Sequence, residues 1–281
     1  VVAAILLIVF GGCSSDGAGQ NAANSSDNTS STAARTTNGA ASTVSRFSVR
    51  VRARYRHDPE AFTEGLTFAA DGSLYESTGM RGASQIRCVE PTTGEVLDSA
   101  DLDAAQFGEG IAVSPDGTSI LQLTWQEGIV RTWQRSTLTP LGTLPLDREG
   151  WGLTFDASQN AYLQSDGSSS IAVRDPASFS VTRTVVVTRD SKKVSQLNEL
   201  EAVDGTVYAN VWHSEDIMMI DARTGEVTGV IDASGLWTSK NRGKEMTLNG
   251  IAHRPGDPPT RLWLTGKNWP WMYEVDVEAT S

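Results

Sequence analysis

A short motif recurs five times along this chain, and its spacing constrains the fold more than any other feature. Phe107-Gly108-Glu109-Gly110-Ile111 has relatives at Phe62-Thr63-Glu64-Gly65-Leu66, Gly150-Trp151-Gly152-Leu153, Leu197-Asn198-Glu199-Leu200 and Leu248-Asn249-Gly250-Ile251. Aligned on Gly65, Gly110, Gly152, Glu199 and Gly250, the steps are 45, 42, 47 and 51 residues. Units of about 40–50 residues that each read as several short strands belong to β-propellers. The expectation is an all-β chain forming a five-bladed β-propeller, with four-stranded antiparallel blades around a central channel. The innermost strand of a blade lines that channel. The position just before the aligned residue therefore matters most, and it holds Glu64, Glu109, Trp151, Asn198 and Asn249.

Between the motifs, alternating apolar runs are separated by turn pairs. Asp71-Gly72, Asp116-Gly117 and Asp204-Gly205 supply the left-handed residues that tight hairpins need. Expected strands include Leu66–Phe68, Gln85–Val89, Ser119–Thr124, Ala161–Ser165, Leu200–Val203 and Ile251–His253. Thr224-Gly225-Glu226-Val227 repeats Thr93-Gly94-Glu95-Val96 at the same place in its unit. Ahead of the first motif, Val44 to Arg56 alternates Val49, Val51, Ala53 and Tyr55 with Arg50, Arg52, Arg54 and Arg56. Period two predicts a half-exposed strand, which would complete the last blade and close the ring.

The first 43 residues read differently. Val1 to Phe10 is an unbroken apolar run, too short to span a bilayer and suited to a signal-peptide core whose true start lies upstream. Gly11-Gly12-Cys13 resembles a bacterial lipobox, with Cys13 as the lipid attachment site; a plain secretory signal is the other reading. Residues 14–43 are almost wholly Ser, Ala, Asn, Thr, Gly and Gln, a composition that reads as a flexible tether. Residues 44–281 suit one domain. The expected location is the cell envelope, lipid-anchored or periplasmic or extracellular, with membrane contact only through that lipid. A net charge of −11 argues against nucleic acid as partner. Apart from Cys13 only Cys88 remains, so neither an intrachain disulfide nor a Cys-rich zinc site is expected.

Second strands run back toward the mouth where first strands begin. That end should gather Glu64, Glu109, Trp125, Trp151, Asn198, Trp212, Asn249 and Lys267. Tryptophans also serve to pack blades against one another, so each taken singly has that plainer reading. His57, His213 and His253 have no ligand spacing and read as structural or surface residues.

These same residues carry a resemblance. His57-Asp58-Pro59-Glu60-Ala61-Phe62-Thr63-Glu64-Gly65-Leu66, Phe107-Gly108-Glu109-Gly110, Leu123-Thr124-Trp125, Glu149-Gly150-Trp151-Gly152-Leu153, Leu197-Asn198-Glu199-Leu200-Glu201, Ala209-Asn210-Val211-Trp212, Leu248-Asn249-Gly250-Ile251 and Thr265-Gly266-Lys267-Asn268-Trp269-Pro270 look like the plant- and bacterial-type glutaminyl cyclases, or glutamine cyclotransferases. The resemblance runs in order over 57–277. It implies a five-bladed propeller, no cofactor and no catalytic metal, and conversion of an N-terminal glutamine to pyroglutamate with release of ammonia. It implies Glu109 as general acid/base, with Phe62, Glu64, Trp125, Trp151, Asn198, Trp212 and Lys267 lining the site. The family usually shows Gln where this chain has Glu64, which places a second carboxylate in the mouth. The partner implied is a peptide or protein with N-terminal Gln, met by a monomer.

The chemistry asks little of a protein. The attacking amine and the γ-carbonyl belong to one residue, so proximity is supplied by the substrate. One carboxylate beside both nitrogens can take a proton from the amine and give one to the departing NH₂. Flanking indoles and Glu64 would favour the protonated form of Glu109. Lys267 or Asn198 could donate to the γ-carbonyl oxygen, and Asn249 would complete the substrate-binding set. Two rival readings stand beside this one. A calcium-dependent lactonase-type propeller would use Glu64, Glu109, Asn198 and Asn249 as oxygen ligands. A non-catalytic propeller would only capture a ligand.

Overall fold

A computed structural model describes residues 44–280; the apolar start, Cys13 and the 14–43 segment lie outside the described residues. Every regular element among the described residues is a strand. Three four-stranded antiparallel sheets follow one another in simple chain order. The first is Thr63–Phe68, Leu74–Thr78, Gln85–Val89 and Val96–Asp101; the second is Gly108–Val113, Ser119–Thr124, Ile129–Gln134 and Pro140–Pro145. The third is Leu153–Asp156, Ala161–Ser165, Ser170–Arg174 and Val181–Val186.

Apart from a small hairpin of Thr188–Arg189 with Lys192–Lys193, the remaining strands form one eight-stranded sheet with two antiparallel halves. Leu197–Val203, Thr206–Val211, Asp216–Asp221 and Val227–Asp232 make one half; Leu248–Ala252, Arg261–Gly266, Trp271–Ala279 and the opening strand Ser45–Arg56 make the other. The opening strand is thus the outer partner of the last, as its place ahead of the first motif led us to expect. It also runs parallel to Val227–Asp232 over Ser45–Ser48, which joins the halves. Its arginines meet a matching row of acids: Arg50 faces Asp276 at 2.5 Å and Arg52 faces Asp276 at 3.1 Å and Glu274 at 3.4 Å. Exposed pairs contribute little singly, but the row fixes register across the seam.

The apolar core lies between sheets and not at a single centre. Ile86 and Tyr75 of the first sheet pack with Ile111, Ile120 and Trp133 of the second. Leu121 and Leu123 then meet Leu153 and Tyr162, and Leu163 and Val173 meet Leu200 and Val207. Tyr208 and Ile217 meet Leu262 and Leu264 across the two halves of the large sheet. The circuit returns to its start where Ala252, Trp263 and Met272 pack on Leu66, Phe68 and Leu74. A closed circuit of sheet-on-sheet clusters is a propeller-like arrangement.

First strands touch one another at the hub through the aligned glycines. A Cβ on Gly65 would come within 2.7 Å of the Ile111 nitrogen, and one on Gly110 within 2.5 Å of the Leu153 nitrogen. One on Gly152 would land on the Asn198 carbonyl. Where Glu199 replaces the glycine, its buried carboxyl accepts from the Ile251 N–H at 2.8 Å and the Leu66 N–H at 3.4 Å, tying three first strands together.

Candidate active site

The motif residues reach the mouth by a repeated local device. First strands begin about three residues earlier than expected at Thr63, Gly108, Leu197 and Leu248, and each carries a register shift directly afterwards. Those irregularities fall at Glu64, Glu109, Asn198 and Asn249. A bulge places an extra residue against its partner strand and re-aims a side chain, here toward the hub. The third sheet has no such shift; its first strand begins at Leu153, and Trp151 precedes it.

A second device places the opposite wall. Just past the second strand in all units but the third, a backbone N–H donates to the carbonyl of the residue ahead of the first strand. The pairs are Gly79 to Phe62 at 2.8 Å, Trp125 to Phe107 at 3.1 Å, Trp212 to Gln196 at 2.9 Å and Lys267 to Thr247 at 2.9 Å. The next residue turns left-handed at His213 and Asn268 (φ 61° and 57°), so the chain reverses and leaves Trp212 and Lys267 over the mouth.

Together these devices enclose a cavity of about 230 Å³ lined by Phe62, Glu64, Met80, Phe107, Glu109, Trp125, Trp151, Asn198, Trp212, Glu245 and Lys267. Its aromatic wall is edge-packed: Phe62 on Phe107 (6.2 Å between centroids), Phe107 on Trp125 (5.7 Å) and Trp151 on Trp212 (5.8 Å). Of the eight tryptophans, Trp133, Trp263 and Trp269 are instead fully buried packing residues, the plainer role.

Of the three carboxyls that line the cavity, Glu64 and Glu109 are buried, in different surroundings. Glu64 is tied down: Lys267 Nζ donates to its Oε1 at 2.7 Å and Asn249 Nδ2 to its Oε2 at 3.2 Å. Lys267 also lies 4.7 Å over the Phe62 ring. Glu109 is only 5 % exposed, and its carboxyl has no hydrogen-bond partner among the described residues. Burial first, and the Glu64 charge second, hold Glu109 well above the usual carboxylate range. Burial raises Glu64 too, but Lys267 bonds directly to it and pulls the other way. Of the two, Glu109 is held the further above its ordinary range. Asn198 Oδ1 is likewise buried and unpartnered in the cavity wall.

The described residues are similar to known proteins along nearly all their length. The glutamine cyclotransferase family profile matches residues 22–277. The chain belongs to the glutamine cyclotransferase family. A glutaminyl-peptide cyclotransferase of Arabidopsis thaliana is 36% identical over 238 residues, covering 83% of this chain and 72% of that protein. The crystal structure of Myxococcus xanthus glutaminyl cyclase is 35% identical, with a TM-score of 0.75, covering 85% of this chain and 100% of that one.

For this family member, Phe62, Glu64, Glu109, Trp125, Trp151, Asn198, Trp212 and Lys267 all come to one cavity. Asn249 does not line it. Its amide turns to the Thr63 carbonyl (2.9 Å) and to Glu64, bracing the carboxylate from behind. Of the four residues weighed as calcium ligands, Glu64 already has an ammonium on it. Phe107, Met80 and Glu245 also line the cavity, beyond the residues expected there. Phe107 was legible as the counterpart of Phe62; Glu245 lies in a segment outside the repeat. His57 is structural: Nδ1 lies 2.6 Å from the Trp269 carbonyl and Nε2 2.8 Å from Glu76, beneath the site.

Proposed function

We propose that this chain converts the N-terminal glutamine of peptides and proteins to pyroglutamate, releasing ammonia, with Glu109 as the only acid/base and the sheets forming five blades. Five first strands in closed circuit support the blade number. The single observation carrying the chemistry is an unpartnered, buried Glu109 carboxyl facing an indole-walled cavity, in a chain of this family. Its readiness to hold a proton suits a group that must pass one on.

The substrate enters terminus first, and the indoles hold its side chain folded so that the α-amine meets the γ-carbonyl carbon. The new C–N bond forms as the amine nitrogen attacks, and the carbonyl electron pair moves to oxygen. Lys267, which keeps further N–H donors beyond the one on Glu64, and the Asn198 amide are the groups at hand for that oxygen. In its ionised form Glu109 accepts a proton from the attacking nitrogen, and its raised pKa makes it ready to pass that proton to the NH₂ group. The C–NH₂ bond then breaks and ammonia leaves. The apolar start and Cys13 carry the separate reading of an exported, lipid-anchored enzyme, which mass analysis of the mature N-terminus tests.

Ammonia release from a Gln-Ala peptide tests the assignment. Wild-type protein should turn it over, and Glu109→Gln should lose on the order of 10²–10⁴-fold in kcat while staying folded. An E109Q variant with undiminished turnover would remove Glu109 from the mechanism. A wild type without turnover would remove the activity.

A further inference from the structure

Glu149 belongs to the third motif, yet it lies outside the cavity lining and takes no part in the chemistry above. Its Oε2 accepts from Trp125 Nε1 at 3.0 Å and from Trp151 Nε1 at 3.3 Å, while its Oε1 accepts from Gln126 Nε2 at 2.9 Å. The two indoles come from different places: Trp125 follows the second strand of the second sheet, and Trp151 precedes the first strand of the third. One half-buried carboxylate joins them.

We propose that Glu149 is a positioning residue, which holds the indoles of Trp125 and Trp151 in register as one wall of the cavity; its kinetic consequence rests on the cyclotransferase reading. The other contacts of these rings limit their tilt. Trp125 is packed by Phe107 and lies under Arg81 at 5.3 Å. Trp151 lies so close to Gly167 that a Cβ there would come within 2.6 Å of the ring. None of these contacts engages an indole nitrogen. Among the described residues Glu149 alone sets where both N–H groups point. Gln126, then the two indoles, keep its carboxyl below its ordinary range, so it is an ionised acceptor near neutral pH.

Reach and charge can be separated. Glu149→Gln keeps the length: its amide oxygen can accept from both indoles while its NH₂ meets Gln126, whose own amide turns to offer oxygen. Glu149→Asp keeps the charge but is one methylene short. The test compares kcat and KM for ammonia release from Gln-Ala, tryptophan emission and thermal midpoint in the wild type and both variants. Positioning predicts that E149D loses about 10–100-fold in kcat/KM, mainly in kcat, with shifted emission and a near-native midpoint, while E149Q stays within about threefold of wild type. E149D with native turnover and emission would overturn the proposal. So would E149Q as impaired as E149D, because charge and not geometry would then matter. If the wild type releases no ammonia, the functional reading has failed; emission shifted in E149D but not in E149Q would still support the clamp, and equal spectra would sink it.

Discussion

Two glutamates in one cavity take different roles because their neighbours differ. Glu64 has a lysine and an amide; Glu109 has apolar walls and the Glu64 charge. Replacing Glu64 by Gln removes the like charge and leaves the Lys267 ammonium less neutralised, and both changes favour ionised Glu109. The limb of the kcat/KM profile that E109Q abolishes should therefore move to lower pH in E64Q. A limb that stays put or moves up would mean that Glu64 does not act on Glu109. The positions of Glu109, Trp125, Trp212 and Lys267 were legible from the sequence because each follows from its place in a repeat. Asn249 obeys the same rule and still misses the cavity, since a hydrogen bond to Glu64 turns its amide away. Spacing alone does not contain that competition between partners. Met80 and Glu245 were not legible for another reason: they stand on connections that differ from unit to unit.

The strands themselves were more legible than their starts. Gln85–Val89, Ser119–Thr124 and Ala161–Ser165 have the expected bounds. First strands begin earlier because Gly and polar residues, which weaken strand propensity, sit here in bulged but paired backbone. The small hairpin of Thr188–Arg189 with Lys192–Lys193 was missed. Its signal was Asp190-Ser191, two residues that turn left-handed (φ 50° and 63°) as a two-residue hairpin loop requires. The acids Glu274, Asp276 and Glu278 opposite the alternating arginines could also have been read in advance. Glycine at the hub is a matter of distance between strands. Gly152→Ala should cost on the order of 3 kcal/mol in urea unfolding, because backbone and not a flexible side chain stands in the way. It should also slow turnover, since Trp151 and Asn198 flank the contact. An alanine variant as stable as wild type would mean that neighbouring strands can separate at no cost.

At the scale of the whole molecule, two other buried carboxyls, Glu199 and Glu201, are also held above their ordinary range. Burial pushes Glu201 up to about 8, and burial with Glu201 beside it holds Glu199 well above the usual range. The sign follows from linkage. A carboxyl whose folded pKa is raised adds stability that is fully present below its unfolded value of about 4.3. That stability drains away as pH climbs through the folded value. The thermal midpoint should therefore fall between about pH 5 and pH 9, and Glu201→Gln should flatten the fall; an identical slope in E201Q would assign it to other groups. Glu199 has a consequence for traffic as well. Its carboxyl bonds to the first strands of two other units at the hub, where the aligned glycines bring neighbouring first strands together, so a chain entering the mouth meets tied backbone there. A polypeptide is therefore expected to be backed in by one end, and its cyclised terminus to retreat the way it came. Glutamines in mid-chain, which lack the free amine as well as an end to offer, should survive contact with this protein untouched, however flexible the segment that carries them.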